Sequence, residues 1–307
     1  MSAKIVDEVI DTLEAKKYDY TLINYPEHNR KSIDLIINSK GSTLVKMSEG
    51  KVTKDEISDL KKISIATHSP SLIVTNSEEE DIVSIKAENV FAISSYGFKK
   101  MLNGEKIFLY RTRGGIFIKI RHDVLRRKRE NMGYSIGDLA KFLGVSRKAI
   151  YDYERGDADV SLEVADKLID IFGEDIIGDI IQYSMTTDTE IEENEISETP
   201  SESLKSRLIH KLKNSGLKII SLKLTAVDLI VKTDKDIYLV AIENKDYNKS
   251  MKKFHEAKKM SSYIGSNLII VTRSSRSLKE CESLGYKAFE ESDIQSLIDE
   301  IKGNSRG

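Results

Sequence analysis

Asp228, Glu243 and Lys245 are the residues of this sequence whose types and spacing could do covalent chemistry. Asp228 lies inside the apolar run Ala226-Val-Asp-Leu-Ile-Val231, and Glu243-Asn244-Lys245 closes the next apolar run. Residues i and i+2 of a strand share a face, so Glu243 and Lys245 would point together. Asp228 and Glu243 could then bind Mg²⁺, a hard cation that prefers oxygen, while Lys245 orients or activates a water for attack on a phosphodiester.

These residues need a sheet to hold them, and residues 201–303 supply its pattern. A helix over 204–215 leads to Gly216; strands follow at 218–221, 226–231 and 237–243; a helix covers about 250–263; a strand at 267–272 precedes helices near 276–284 and 292–301. Residues 1–104 repeat the design. A helical stripe of Ile5, Val9, Ile10 and Leu13 opens it, short apolar runs at 20–23, 33–37, 44–47 and 71–75 read as strands, and helices fall near 53–64 and 95–102. In this first copy Asp34 stands in the second strand and Lys46 in the third, with Leu44 where an acid would precede the lysine. One carboxylate cannot assemble a metal site, so the first copy is expected to be inactive.

The aspartate, the short hairpin and the Glu-x-Lys on a neighbouring strand resemble the PD-(D/E)xK restriction-endonuclease-like fold, which includes archaeal Holliday junction resolvases. The resemblance implies a metal-dependent DNA endonuclease or resolvase-like enzyme as the alternative reading of the chain, with Glu202 as the helix-borne acid that some members of the family add. Asn244 stands where that family usually has an apolar residue. From 203 to 260 there are fourteen Lys or Arg and six Asp or Glu, a net of +8 that favours a polyanion or an acidic partner.

A second group of residues points to nucleic acid without catalysis. Ser135 is a good N-cap with Asp138 three positions on, as in a capping box. Leu139, Ala140 and Leu143 fall on one face, Gly144 ends the helix with a tight turn, and Ser146 caps the next one. Ile150 and Tyr153 then fall inward, while Arg147, Lys148, Tyr151 and Asp152 face outward at the N-terminal half, the part that reaches base edges in a major groove. From Arg121 to Gly156 nine basic and five acidic residues leave a net of +4, with Arg126-Arg127-Lys128-Arg129 consecutive. Arg127 and Lys128 are candidate phosphate contacts.

This segment resembles the Cro/cI-type (Xre-like) helix-turn-helix of phage and bacterial repressors, on Leu139-Ala140, Gly144-Val145-Ser146, Ile150 and Tyr153-Glu154-Arg155-Gly156. By that resemblance Arg147, Lys148 and Asp152 sit where bases are read, and Ser135 and Ser146 where phosphates are held. Arg129 and Glu154 sit where the family places an internal ion pair. Asp157 and Asp159 depart from it, standing where basic phosphate contacts are usual. The whole arrangement resembles a family of archaeal HTH-type transcriptional regulators, which implies DNA binding, transcription regulation and, from the motif's habit of binding palindromes, a homodimer.

Composition bounds the remaining possibilities. The chain has 307 residues, 39% hydrophobic and 32% charged, enough for two or three domains with real cores. Its net charge is only -2, so any nucleic-acid surface must come from local segregation of charge. A single cysteine, Cys281, excludes an intrachain disulfide, and the five scattered histidines make a zinc site improbable. The opening Met1-Ser2-Ala3-Lys4 has no signal-peptide core and no run of 18 apolar residues occurs, so a cytoplasmic protein with no membrane association is expected. Six acids, no base and a final Pro200 mark 186–200 as a solvated linker. The expected fold class is α/β plus all-α: an endonuclease-like α/β domain at 1–104, a β-hairpin and Cro/cI-type helix-turn-helix at 105–185, the linker at 186–200, and a second endonuclease-like domain at 201–307. The favoured reading is a non-enzymatic DNA-binding regulator with no cofactor and no catalytic residues.

Overall fold

The computed structural model describes residues 3–27, 30–39, 41–184 and 203–303. Glu202 and the acidic segment 186–200 lie outside them. In chain order the elements are α1 (Ala3–Ala15), β1 (Asp19–Leu22), β2 (Leu35–Asn38), β3 (Ser42–Met47), α2 (Lys54–Thr67), β4 (Ser71–Val74), β5 (Ile82–Ala87), β6 (Val90–Ile93), α3 (Ser95–Leu102), β7 (Leu109–Thr112) and β8 (Gly115–Ile118). There follow α4 (His122–Asn131), α5 (Ile136–Leu143), α6 (Arg147–Arg155), β9 (Val160–Ser161), α7 (Leu162–Phe172), α8 (Ile180–Ser184), α9 (Leu204–Asn214), β10 (Lys218–Ser221), β11 (Leu229–Lys232), β12 (Ile237–Ile242), α10 (Tyr247–Ile264), β13 (Asn267–Thr272), α11 (Ser275–Ser283), β14 (Ala288–Glu290) and α12 (Ile294–Gly303). The β5–β6 hairpin and β14 have no counterpart in the pattern read from sequence.

The described residues form two compact units that do not follow the linear order of the chain: those within 3–16, 47–50 and 72–184 make one, and those within 17–46, 51–71 and 203–303 the other. In the first, strands β4-β6-β5-β7-β8-β9 lie side by side, and β8 joins the sheet to the helices through β9, pairing Phe117 with Ser161 and Ile118 with Val160. The helices close on Val124, Leu125, Leu139, Ala140, Leu143, Ile150, Ala165, Leu168 and Phe172, all buried.

The second unit contains only residues 17–46 and 51–71 of the first copy read from the sequence, together with the second copy, and backbone hydrogen bonds set the correspondence. β1–β2–β3 and β10–β11–β12 are antiparallel meanders. The amide of Asp34 donates to Val45 O and its carbonyl accepts from Ile23; the amide of Asp228 donates to Val240 O and its carbonyl accepts from Leu222. In the first unit the amide of Ser48 donates to Val74 O, as in the second the amide of Glu243 donates to Val271 O. Ser48, not Leu44, therefore stands where Glu243 stands, and Lys46 falls opposite Ala241 rather than Lys245. Parallel strands β12 and β13 need a crossover, which α10 provides.

Within this unit the two copies grip each other reciprocally. Asp59 on α2, 1% exposed, accepts the amides of Lys223 (3.1 Å) and Leu224 (2.7 Å) just after β10. Glu256 on α10, 3% exposed, accepts the amide of Asn24 just after β1, at 2.6 Å. Three residues on from each acid, Lys62 donates to Ser221 O and Lys259 to Leu22 O. The same latch is thus made twice, each copy supplying the helix of one and the strand end of the other, the self-complementary pattern of a twofold dimer.

Candidate nucleic-acid interface

The helix-turn-helix is shaped by its caps. Ser135 Oγ accepts the amide of Asp138, whose carboxylate returns to the Ser135 amide, closing a capping box on α5. Gly144 ends α5 at φ 72°, a left-handed position that a side chain would strain. Ser146 Oγ accepts the amide of Ala149 and starts α6. Both hydroxyls therefore already serve the helix ends. The Ser135 hydrogen bond holds the Asp138 carboxyl below its usual range.

On α6 the buried side is Ile150 and Glu154; Arg147, Lys148 and Tyr151 are exposed and Asp152 is half-buried. A Cβ added at Gly137 on α5 would stand 3.1 Å from Nε and Nη2 of Arg147, so the missing side chain gives this guanidinium its seat. Arg155 stacks over the Tyr151 ring at 5.4 Å and donates to its hydroxyl at 3.2 Å. The exposed half of α6 thus presents two cations and an aromatic ring held by a third cation.

Glu154 pairs with Arg129 of α4 in a two-pronged bond, Nε to Oε1 at 2.5 Å and Nη2 to Oε2 at 3.0 Å, each residue 8% exposed. Arg129 also donates to Tyr134 O at 2.9 Å, so one guanidinium ties α4, α6 and the chain entering α5. The hydrogen bond that Arg129 donates to Glu154 raises the Arg129 pKa further and keeps it charged. Of the two phosphate candidates, Arg127 is exposed, whereas Lys128 donates to Phe172 O and pairs with Asp175. Asp157 and Asp159 also have partners at home: Asp157 pairs with Arg155 at 2.7 Å, and Asp159 accepts the Tyr110 hydroxyl at 2.5 Å. Tyr110, on β7, has no sequence signal for this contact.

Asp228, Glu243 and Lys245, whose convergence would favour the nuclease reading, have separate surroundings. β12 stops at Ile242, so Lys245 is beyond the strand and exposed. Glu243, 8% exposed, accepts the Arg273 amide at 2.5 Å and the Ser277 hydroxyl at 2.8 Å. Asp228 accepts the Ile242 amide at 2.7 Å and the Lys253 ammonium at 2.5 Å. The side-chain nitrogen of Asn244 donates to the Tyr25 hydroxyl at 3.0 Å. In the N-terminal copy a second carboxylate does arrive, from the α2 capping box rather than a strand: Lys46 lies 3.3 Å from Asp34 and 3.5 Å from Glu56. No group of three or more His, Cys, Asp or Glu placed to hold a metal occurs among the described residues. Among them, too, no helix is long and apolar enough to cross a membrane.

Fold and caps together define a protein that joins a helix-turn-helix to mixed α/β structure, and family models agree. The PD-(D/E)XK superfamily domain matches residues 2–107 and the helix-turn-helix matches residues 125–177. Proteins named as HTH-type transcriptional regulators are similar over their full length. Those of Saccharolobus islandicus (strain Y.G.57.14) and Saccharolobus solfataricus are 69% identical over 306 residues, 99% of each chain. One of Sulfurisphaera tokodaii is 38% identical over 293 residues, 95% of this chain and 98% of its own. The chain belongs to this family of archaeal HTH-type transcriptional regulatory proteins.

Proposed function

We propose that the protein regulates transcription by reading double-stranded DNA with α6, as a cytoplasmic homodimer, and that it does not cleave the DNA it binds. The observation behind this reading is the exposed N-terminal half of α6, where Arg147 and Lys148 project from a helix capped by Ser146 and fixed beneath by Glu154 and Arg129. Arginine and lysine there can read guanine in the major groove. Arg127 supplies a phosphate contact; Lys128, Ser135 and Ser146 reach DNA only by sharing bonds they already make.

Helix-turn-helix modules of this kind pair on half-sites about one helical turn apart, which is the ground for a homodimer. The division at 104, 185 and 200 is kept as the domain proposal, with the helix-turn-helix segment between two endonuclease-like α/β halves. The second half is assigned to that fold because Asp228 and Asp34 share one hydrogen-bond register. The separate engagements of Asp228 and Glu243 support a non-enzymatic reading. Selection of bound duplexes from a random pool tests the proposal. A recovered inverted repeat with half-sites about one turn apart is the expected result; an unenriched pool would refute it.

A further inference from the structure

A divalent cation implied by the endonuclease-like fold does not fit the residues present, and the reason is the same in both copies. In the C-terminal half the Lys253 ammonium lies 2.5 Å from Asp228 Oδ2 and 2.9 Å from Ile242 O, 6.0 Å from the Tyr25 ring centre, in a residue only 3% exposed. A carboxylate and a neighbouring strand carbonyl are the hard oxygen ligands a magnesium ion would seek. The other candidate ligand, Glu243, is drawn off to Arg273 and Ser277. In the N-terminal half Lys46, 7% exposed, lies between Asp34 and Glu56, and Lys31 adds a second ammonium 3.2 Å from Asp34.

The two lysines reach these places by different routes. Lys253 comes from the crossover helix α10 and Lys46 from strand β3. A buried carboxylate needs a compensating positive charge, and a tethered ammonium provides one whatever the metal concentration.

We propose that in each α/β half a built-in lysine ammonium occupies the place of the metal ion, so that both halves fold and act without a divalent cation. The proposal rests on the endonuclease-like assignment of the C-terminal half and is independent of how α6 reads DNA, so failure of one leaves the other standing.

The test uses the full chain and Mn²⁺ as the probe. Wild type in EDTA and in excess Mn²⁺ should melt at the same temperature, and electron paramagnetic resonance should show no Mn²⁺ uptake that Asp228→Asn removes. Lys253→Met should melt lower, and Mn²⁺ should restore several degrees of the loss. The Lys253→Met/Asp228→Asn double variant should not respond. Mn²⁺ uptake by wild type that Asp228→Asn abolishes would overturn the proposal, and so would a folded Lys253→Met chain indifferent to Mn²⁺. Should Lys253→Met fail to fold, the wild-type and Asp228→Asn titrations decide alone, with Lys253→Arg expected to stay folded and blind to Mn²⁺.

Discussion

Arg147 lies against Gly137: the guanidinium on α6 uses the space that a side chain on the preceding helix would fill, 3.1 Å from where its Cβ would be. Gly137→Ala must move the end of Arg147 by a few tenths of an ångström, while alanine favours the α5 helix by about 1 kcal/mol. The variant should therefore melt no lower than wild type yet bind its operator more weakly, by less than Arg147→Ala does. Paired melting and fluorescence anisotropy measurements check this. Weaker binding accompanied by a lower melting temperature would point to a folding defect instead.

Glu154→Ala removes one partner of a buried pair and leaves Arg129 charged between α4 and α6. The loss should be about 3 kcal/mol, read as a lower melting temperature of the full chain. Arg129→Ala should cost a similar amount. Glu154→Gln, which keeps a hydrogen-bond acceptor, should lose less. Wild-type stability in Glu154→Ala would show that the pair contributes nothing.

The latches at Asp59 and Glu256 are equivalent in form but not in number of bonds. Asp59 also accepts the Ser32 hydroxyl at 3.1 Å besides the two amides after β10. Asp59→Ala strands more donors than Glu256→Ala, the buried Ser32 hydroxyl among them at a cost of about 1–3 kcal/mol and the half-buried amides at less. Urea unfolding should rank Asp59→Ala below Glu256→Ala, with both below wild type. The reverse order would break the assignment.

Cys281 is the chain's single cysteine and is buried. Burial first, then the charges of Glu243, Glu280 and Glu282, push its thiol from an ordinary 9.0 up to about 11. The folded state thus favours the neutral thiol. The stability this group lends is whole below pH 9.0, and it is lost as pH rises through about 11. Iodoacetamide at pH 8 should label native protein far more slowly than urea-unfolded protein. Equal rates would contradict the burial.

The helix-turn-helix was legible because its signals are local. Ser135, Gly144, Ser146 and the apolar spacing of Leu139, Leu143 and Ile150 act within a turn or two of chain. The Arg129–Glu154 pair, 25 residues apart, was legible only through resemblance. Partners that come from afar left no mark. Lys128 meets Asp175 from 47 residues away, Tyr110 meets Asp159 from 49, and Lys253 meets Asp228 across a strand and half a helix. Glu243-x-Lys245 misled for a related reason: alternation holds only while the strand lasts, and β12 ends before either residue. The paired copies were legible as a pattern, but their true register at Ser48 and Glu243 depends on backbone bonds to Val74 and Val271, which composition does not encode.

The central claim is that α6 reads sequence. The measurement that tests it most directly is binding of wild type, Arg147→Ala, Lys148→Ala and Arg127→Ala to a selected operator and to random duplex, over a range of salt. Arg147→Ala and Lys148→Ala should each lose about 1–3 kcal/mol on the operator and far less on random DNA. Arg127→Ala should weaken both duplexes alike and lower the salt slope by about 1. Equal losses on operator and random duplex for Arg147→Ala and Lys148→Ala would contradict the account.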